Sequence, residues 1–251
     1  MNSLFQTKVW MRNLGMWLGL CALVYGCLLV WDGEASAWWL LASYLITYWA
    51  TLCISVGHHR LFSHSAFSCH RLWHYVFAIQ GAAFLNSSPI QWAYVHLGHH
   101  RYSDTAEDPH ETRIGYFFRY KHKPTPFPLQ TSVMRLLKDP MHSFVHKYSA
   151  LIFLAAAAVS YSISWYFFIF CFMIPMGYNL LSVGMFLVYS HRNGKAANQF
   201  WAEFIFPFAG EWVHTAHHEE NPKLLNNAVK PWEIDMGYQF IQVVRNDYVQ
   251  R

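Results

Sequence analysis

The stretch 37–64, AWWLLASYLITYWATLCISVG followed by HHRLFSH, decides the fold. Ala37–Gly57 carries no charged side chain and is about as long as the roughly 20 residues a bilayer crossing requires. It runs straight into His58-His59-Arg60-Leu61-Phe62-Ser63-His64. An apolar run that hands imidazoles to its own end reads as a membrane span presenting metal ligands at the bilayer surface.

The rest of the chain repeats this separation. Sixteen histidines are present, and none falls within 1–57 or 148–190. Eight of them form three clusters: His59-x4-His64, His96-x2-His99-His100 and His214-x2-His217-His218. On a helix, positions i, i+3 and i+4 share one face, so each x2-HH cluster converges. His59 and His64, five apart, point to a helix end or a turn. Eight imidazoles are too many for one ion, and neutral nitrogen donors suit iron or a neighbouring transition metal. A zinc hydrolase needs only three or four protein ligands. Two metals are expected.

Composition places the chain in lipid. Of its 251 residues 54% are hydrophobic and 13% charged, against about 25% charged in soluble domains. Apolar segments at about 14–31, 37–57, 148–165 and 166–190 predict four transmembrane helices; the last two meet at a polar weak point around Ser160–Ser164. Tyr75–Val95 is apolar too, but Asn86, Ser87, Ser88, Pro89 and Gln91 interrupt it. It reads as helices lying at the membrane face, the competing reading being a fifth span. Of the 18 Lys and Arg, two lie in the N-terminal segment, ten in 58–147 and six in 191–251, and the loop holding Asp32 and Glu34 has none. The positive-inside rule then puts both termini and every histidine in the cytoplasm. The expected fold is an all-α, multi-pass integral membrane protein, one domain over 1–251, with a cytosolic cap of 58–147 and 191–251. The first apolar run, with no small-residue cleavage site before the acidic turn, is expected to be a span rather than a cleavable signal. The net charge of +4 is modest, and no nucleic-acid motif or cysteine framework is present. Trp10, Trp38 and Trp39 suit an aromatic belt.

Ligating histidines usually donate their other N–H to a carboxylate or carbonyl; Asp104, Asp108 and Glu211 are placed to receive it, and His110 to orient or close the site. His58 is a weak candidate, because neighbours on regular structure face apart. His70, His74, His122, His142 and His146 have no ligand spacing and read as surface residues.

These motifs resemble the three histidine boxes of the membrane-bound fatty acid desaturases. Arg60-Leu61-Phe62-Ser63-His64 and the stretch Tyr102–His110, YSDTAEDPH, are most similar to the stearoyl-CoA or delta-9 branch. The resemblance runs from about Ser55 to Asn221. It implies four spans under a cap holding two irons above an acyl tunnel, and an O2-dependent reaction that leaves a cis double bond. It further implies His191 as a ninth ligand, the alternative being a helix cap. An asparagine usual four residues earlier is here Leu187; Asn179 is not a substitute. With no dinucleotide fingerprint, ferredoxin-like cysteine spacing or His-Pro-Gly-Gly haem signature, electrons must come from a separate donor, such as ferredoxin or cytochrome b5 with its reductase. Overexpressed protein is expected to take zinc in place of iron. The substrate is an acyl lipid, an acyl carrier protein thioester or acyl-CoA. Trp92-Ala93-Tyr94-Val95-His96 lacks the Arg-Asp pair of the animal acyl-CoA enzymes, which tilts the choice away from free acyl-CoA. Arg101, Arg113, Arg119, Lys121 and Lys123 are the cap cations a carrier would meet. A hydroxylase or acetylenase on the same scaffold is the nearest alternative. A metal carrier without turnover is the more distant one, and spans almost free of polar residues count against it.

Overall fold

The computed structural model describes residues 9–103, 105–110, 114–118, 128–191 and 196–246. The regular structure of the described residues is helical, with one isolated bridge between Cys69 and Arg245 and no strand. Four helices are long and apolar enough to cross a membrane: α1 (Val9–Trp31), α2 (Trp38–Ser63), α6 (Pro140–Ile163) and α7 (Trp165–Tyr189). Between them lie α3 (Arg71–Ala83), α4 (Pro89–Tyr102) and α5 (Thr131–Lys138), and after them α8 (Thr215–Glu219) and α9 (Met236–Val244). The apolar stretch 75–95 is thus shared between α3 and α4, neither of which is long enough to span.

The four spans match the sequence reading in number and order and differ at their ends. The second runs on through Ser63, because its last turns widen into a π-helix over Cys53–Ser63 and carry the first histidines inside the helix. The third begins at Pro140 rather than 148. Asp139 caps it by accepting the Met141 and His142 N–H groups at 2.9 and 3.3 Å, with Pro140 at the first position, where no N–H is needed. His142, His146 and Lys147 hide that turn from a hydrophobicity scan, and Tyr148 (φ −108°, ψ 17°) marks a kink where the apolar part starts. Ser164, extended at φ −171° and ψ 160°, separates the third span from the fourth.

α7 and α2 are the inner helices, with 67% and 56% of their apolar stretches buried, and α6 is the outermost at 11%. Gly19 of α1 and Gly177 of α7 let two backbones touch; a Cβ on either would overlap the other's backbone, the small-residue contact expected where helices pack in lipid. α2 and α7 are tied by Ser43, whose hydroxyl donates to the Phe170 carbonyl at 2.6 Å, one that the π-turn Phe168–Met173 displaces from regular pairing. α3 and α4 pack on the histidine-bearing end of α2 and on α6.

Asp139 also joins α3 to α6, since Arg71 reaches its carboxylate at 2.6 and 2.7 Å. Arg71 holds the carboxyl down to about 2, from an ordinary 3.8. Asp139→Ala is expected to cost about 1 kcal/mol from the lost cap, read by thermal unfolding. Because the folded value is depressed, the contribution is complete above pH 3.8 and fades toward pH 2; the stability gap between wild type and Asp139→Asn should close over that interval.

Candidate metal centre

The wide last turns of α2 explain the five-residue spacing of His59 and His64. A π-turn pairs residue i+5 with residue i, and the His64 N–H donates to the His59 carbonyl at 3.2 Å. The two rings therefore meet edge to face on one side of the helix, with centroids 4.9 Å apart. α4 starts at Ser88, whose hydroxyl accepts the Gln91 N–H at 3.2 Å, and carries His96, His99 and His100 into the same space. α7 ends at Tyr189, just before His191. Asn198 Oδ1 accepts the His214 and Thr215 N–H groups at 2.7 and 2.8 Å and starts α8 there.

These elements gather eight imidazoles into two adjoining groups that could hold metal ions. His59, His64, His96, His100 and His217 form one, His99, His191 and His218 the other, and within each group the ligand atoms lie within 4.8 Å of one another. The second and third boxes each serve both groups: His96 and His100 turn to the first and His99 to the second, and neighbours His217 and His218 divide likewise. His214 falls outside that spacing, at the edge of the second group. Its ring packs on His218 (4.4 Å), His191 (5.3 Å) and Phe186 (4.8 Å), beside the second group.

Two carboxylates fix tautomers. His59 Nδ1 lies 2.8 Å from Glu211 Oε2 and His99 Nδ1 2.9 Å from Asp108 Oδ2. Each Nδ1 therefore carries its proton and leaves the Nε2 lone pair facing inward. Burial, then the crowd of neighbouring imidazoles, pushes His64, His96, His214 and His217 well below an ordinary 6.5, and His218 to about 2. Neutral rings are the ligand form.

The nitrogens fit a cation and not each other. Nε2–Nε2 separations run from His64 to His96 (2.7 Å), to His100 (3.1 Å), to His217 (3.0 Å), to His59 (2.9 Å). A neutral nitrogen has either one N–H or one lone pair, so four successive contacts cannot all be ordinary hydrogen bonds. Nitrogens bound at about 2.1 Å to a common ion and set at about right angles would lie about 3.0 Å apart. In the second group, His99 and His191 approach at 3.2 Å, and His218 Nε2 is buried without a hydrogen-bond partner.

Of the other expected residues, Asp108 also accepts the His110 N–H at 2.8 Å, and His110 packs 4.8 Å from the His99 ring. Asp104 lies outside the described residues, as does His122. Two surface assignments fail. His142 is 1% exposed and packs on Phe62, because the capped start of α6 turns it inward. His74, partly buried, lies against it at 3.4 Å. His58, fully buried, fits against Gly81 of α3 rather than facing the metal groups. His70 caps α3, and His146 contacts Ser88 at 2.7 Å.

Sequence reading missed the charges that hold Glu211. Fully buried Arg60 pairs with Glu211 at 3.1 Å and Asp235 at 3.0 Å and donates to the Leu225 carbonyl at 2.9 Å, while the Ser55 hydroxyl donates to Glu211 at 2.5 Å. Asp235 also caps α9 through the Tyr238 N–H and accepts the Asn227 N–H, both at 2.9 Å. Burial raises the Glu211 carboxyl, but His59, Arg60 and Ser55 hold it down to about 2. Arg60 was the available signal: a charge in line with an apolar span must find a partner.

A pocket opens beside the histidines. Leu180, Val183, Phe186 and Leu187 of α7 with Phe208 form its apolar wall, His59, His96 and His214 stand at the metal side, and Arg12, Asn86, Ser87 and Gln91 supply polar edges.

No family model matches the chain. It is similar to the sn-1 stearoyl-lipid 9-desaturase of Anabaena variabilis, 25% identical over 235 residues (88% of this chain, 86% of that protein). It is 30% identical over 207 residues to Acyl-CoA desaturase 1 of Saccharomyces cerevisiae (72% and 39%) and 29% over 224 residues to the palmitoyl-monogalactosyldiacylglycerol delta-7 desaturase of Arabidopsis thaliana (80% and 57%). The chain thus spans most of the first relative and about two fifths and three fifths of the other two.

Arg60→Met leaves two buried carboxylates without their counter-charge and is expected to destabilise the protein by about 3–5 kcal/mol. Ser55→Ala removes one hydrogen bond and is expected to cost about 1 kcal/mol. Denaturant unfolding of both variants measures the difference; equal costs would remove Arg60 from the centre of the network.

Proposed function

We propose that this chain, a member of the membrane-bound fatty acid desaturase family, removes two hydrogens from a methylene pair of a fatty acyl chain, with delta-9-like placement of a cis double bond. The overall balance is one CH2–CH2 unit, O2, two electrons and two protons giving CH=CH and two waters. The observation that carries this reading is the pair of imidazole groups beside a pocket with an apolar wall.

His59, His64, His96, His100 and His217 would hold one iron, and His99, His191 and His218 a second, with His214 completing the second group. Bound iron supplies the activation of O2 that no side chain here can perform. The chain's own groups do the rest. Glu211 and Asp108 hold the protons of His59 and His99 on Nδ1, so both rings are aimed with Nε2 toward the metal groups. Leu187 takes the place of a polar group at the second site, leaving it three imidazoles, His214 and an apolar neighbour. Phe186, Leu187 and Val183 exclude water from the reacting carbons. The cavity wall fixes which carbons lie beside His59, His96 and His214, and so where the double bond forms.

The acyl chain is proposed to arrive on a lipid. The Anabaena and Arabidopsis relatives are named for lipid-linked chains and the yeast relative for acyl-CoA. Arg12 is the one cation among the described residues that line the cavity, whereas the phosphates of CoA would call for several. Electrons are proposed to come from a separate donor, ferredoxin or cytochrome b5, meeting a histidine face on the cytoplasmic side.

The test presents one acyl chain as phospholipid, carrier-protein thioester and CoA thioester to iron-loaded protein with a reductase, and identifies products by mass spectrometry. An alkene formed fastest from the phospholipid is expected; an alcohol or an alkyne would overturn the reaction, and fastest turnover of the CoA form would overturn the carrier. His191→Ala is expected to lose turnover as fully as His217→Ala while remaining in the membrane. Near-normal turnover in His191→Ala would make it a helix cap, worth about 1 kcal/mol or less.

A further inference from the structure

Between His191 and the third box, the chain makes an excursion. Its ends are pinned close to the metal groups: Asn198 holds the His214 and Thr215 N–H groups, and the Gln199 N–H donates to the Trp212 carbonyl at 2.8 Å. Between those anchors lie the 3-10 turn Phe200–Phe204 and the return through Pro207. The Tyr178 hydroxyl of α7 donates to the Ile205 carbonyl. Tyr178 stands 11 residues before the end of α7 at Tyr189 and 13 after its start at Trp165, about 16 Å in from the histidine end at 1.5 Å per residue. Helical side chains lean toward the helix N-terminus, which in α7 is the end away from His191, so the hydroxyl is no shallower than its Cα. Glu203 lies close enough to Tyr44 and Tyr48 of α2 to act on them electrostatically.

Non-helical backbone at membrane depth must find its partners inside the protein, and this turn does. The Glu203 carboxylate accepts the Phe208 and Gly210 N–H groups at 2.9 and 3.1 Å. Trp212 Nε1 donates to the Phe206 carbonyl at 2.6 Å, and the Phe206 N–H to Ala202 at 2.7 Å. Pro207 has no N–H to satisfy. Its outward side chains are the reverse of a wet loop. Trp201, Phe204 and Ile205 are 73%, 62% and 61% exposed, matching Leu45 of α2 and Leu151 of α6 at 59% and 61%. Residues 196–210 contain no Lys or Arg, and their one acid, Glu203, is buried. A face presented to a charged protein partner would carry charge, and a contiguous large apolar patch facing water is rare.

We infer that Phe200–Phe206 is a membrane-inserted turn, its partner the hydrocarbon of the bilayer, with Trp201, Phe204 and Ile205 facing lipid. Because its two ends hold Asn198 and Glu211, insertion fixes the third histidine box at a set height above the membrane. The Glu203 carboxylate is the internal partner that lets the backbone turn there. This inference rests on the four spans and is independent of the reaction.

The test uses the full chain in proteoliposomes and a membrane-impermeant maleimide, with wild type as the baseline for the five native cysteines and Asn226→Cys, exposed on the cap, as the water-side control. Phe204→Cys and Ile205→Cys are expected to label at least about tenfold more slowly than Asn226→Cys, because hydrocarbon excludes the thiolate that reacts. Labelling at the control rate would overturn the insertion and leave the patch as a surface for a protein. Where a cysteine variant fails to fold, brominated lipids give a second reading. Insertion predicts that they quench a larger share of the emission in wild type than in Trp201→Phe; an equal share would overturn it.

Discussion

A ring nitrogen brings one proton or one lone pair, and five such nitrogens packed within 4.8 Å cannot all bond to one another. Much of the architecture around these groups can be understood as the means of forcing that arrangement and living with it. Glu211 and Asp108 pin protons to the outer nitrogens of His59 and His99, so the inner nitrogens of those two rings face their groups as lone pairs. Burial keeps the rings uncharged, since a single imidazolium among them would be both desolvated and repelled. The cost of assembling such a cluster is carried by the helix ends around it and relieved only by a cation.

That cost explains the buried charges one layer out. Arg60 sits between Glu211 and Asp235 with almost no exposure, linking the first box to the third and both to the cap of α9. Removing both partners of such a pair can be neutral, whereas removing one strands a charge. The network therefore specifies one arrangement of α2, the third box and α9. The inner position of α2 and α7 follows from the same demand, since both deliver histidines and both must be held from all sides. α6, which starts near the site but sends none into either metal group, is left at the lipid edge.

Much of this was legible in the sequence, and the parts that were not share a cause. Four apolar runs and three histidine clusters gave the number of spans and the metal-binding face, because hydrophobic length and ligand spacing are local properties. The pairing of His59 with His64 was visible only as an odd interval, since a π-turn has no compositional signature. His96, His99 and His100 do share a face of α4, but spacing could not reveal that the face straddles two groups. Asp235 lies 175 residues from Arg60 and nothing local links them. His142 reads as a surface residue because the Asp139-Pro140 cap that turns it inward looks like loop. His214, alike in spacing to His96, is set apart because it precedes the first turn of α8 and packs on Phe186.

The most direct test of the account is anomalous scattering at the iron edge from crystals of iron-loaded protein. Two peaks are predicted, one among the Nε2 atoms of His59, His64, His96, His100 and His217 and one among those of His99, His191 and His218. A single peak, or two peaks away from these groups, would contradict the claim that the imidazole clusters exist to hold a pair of metals.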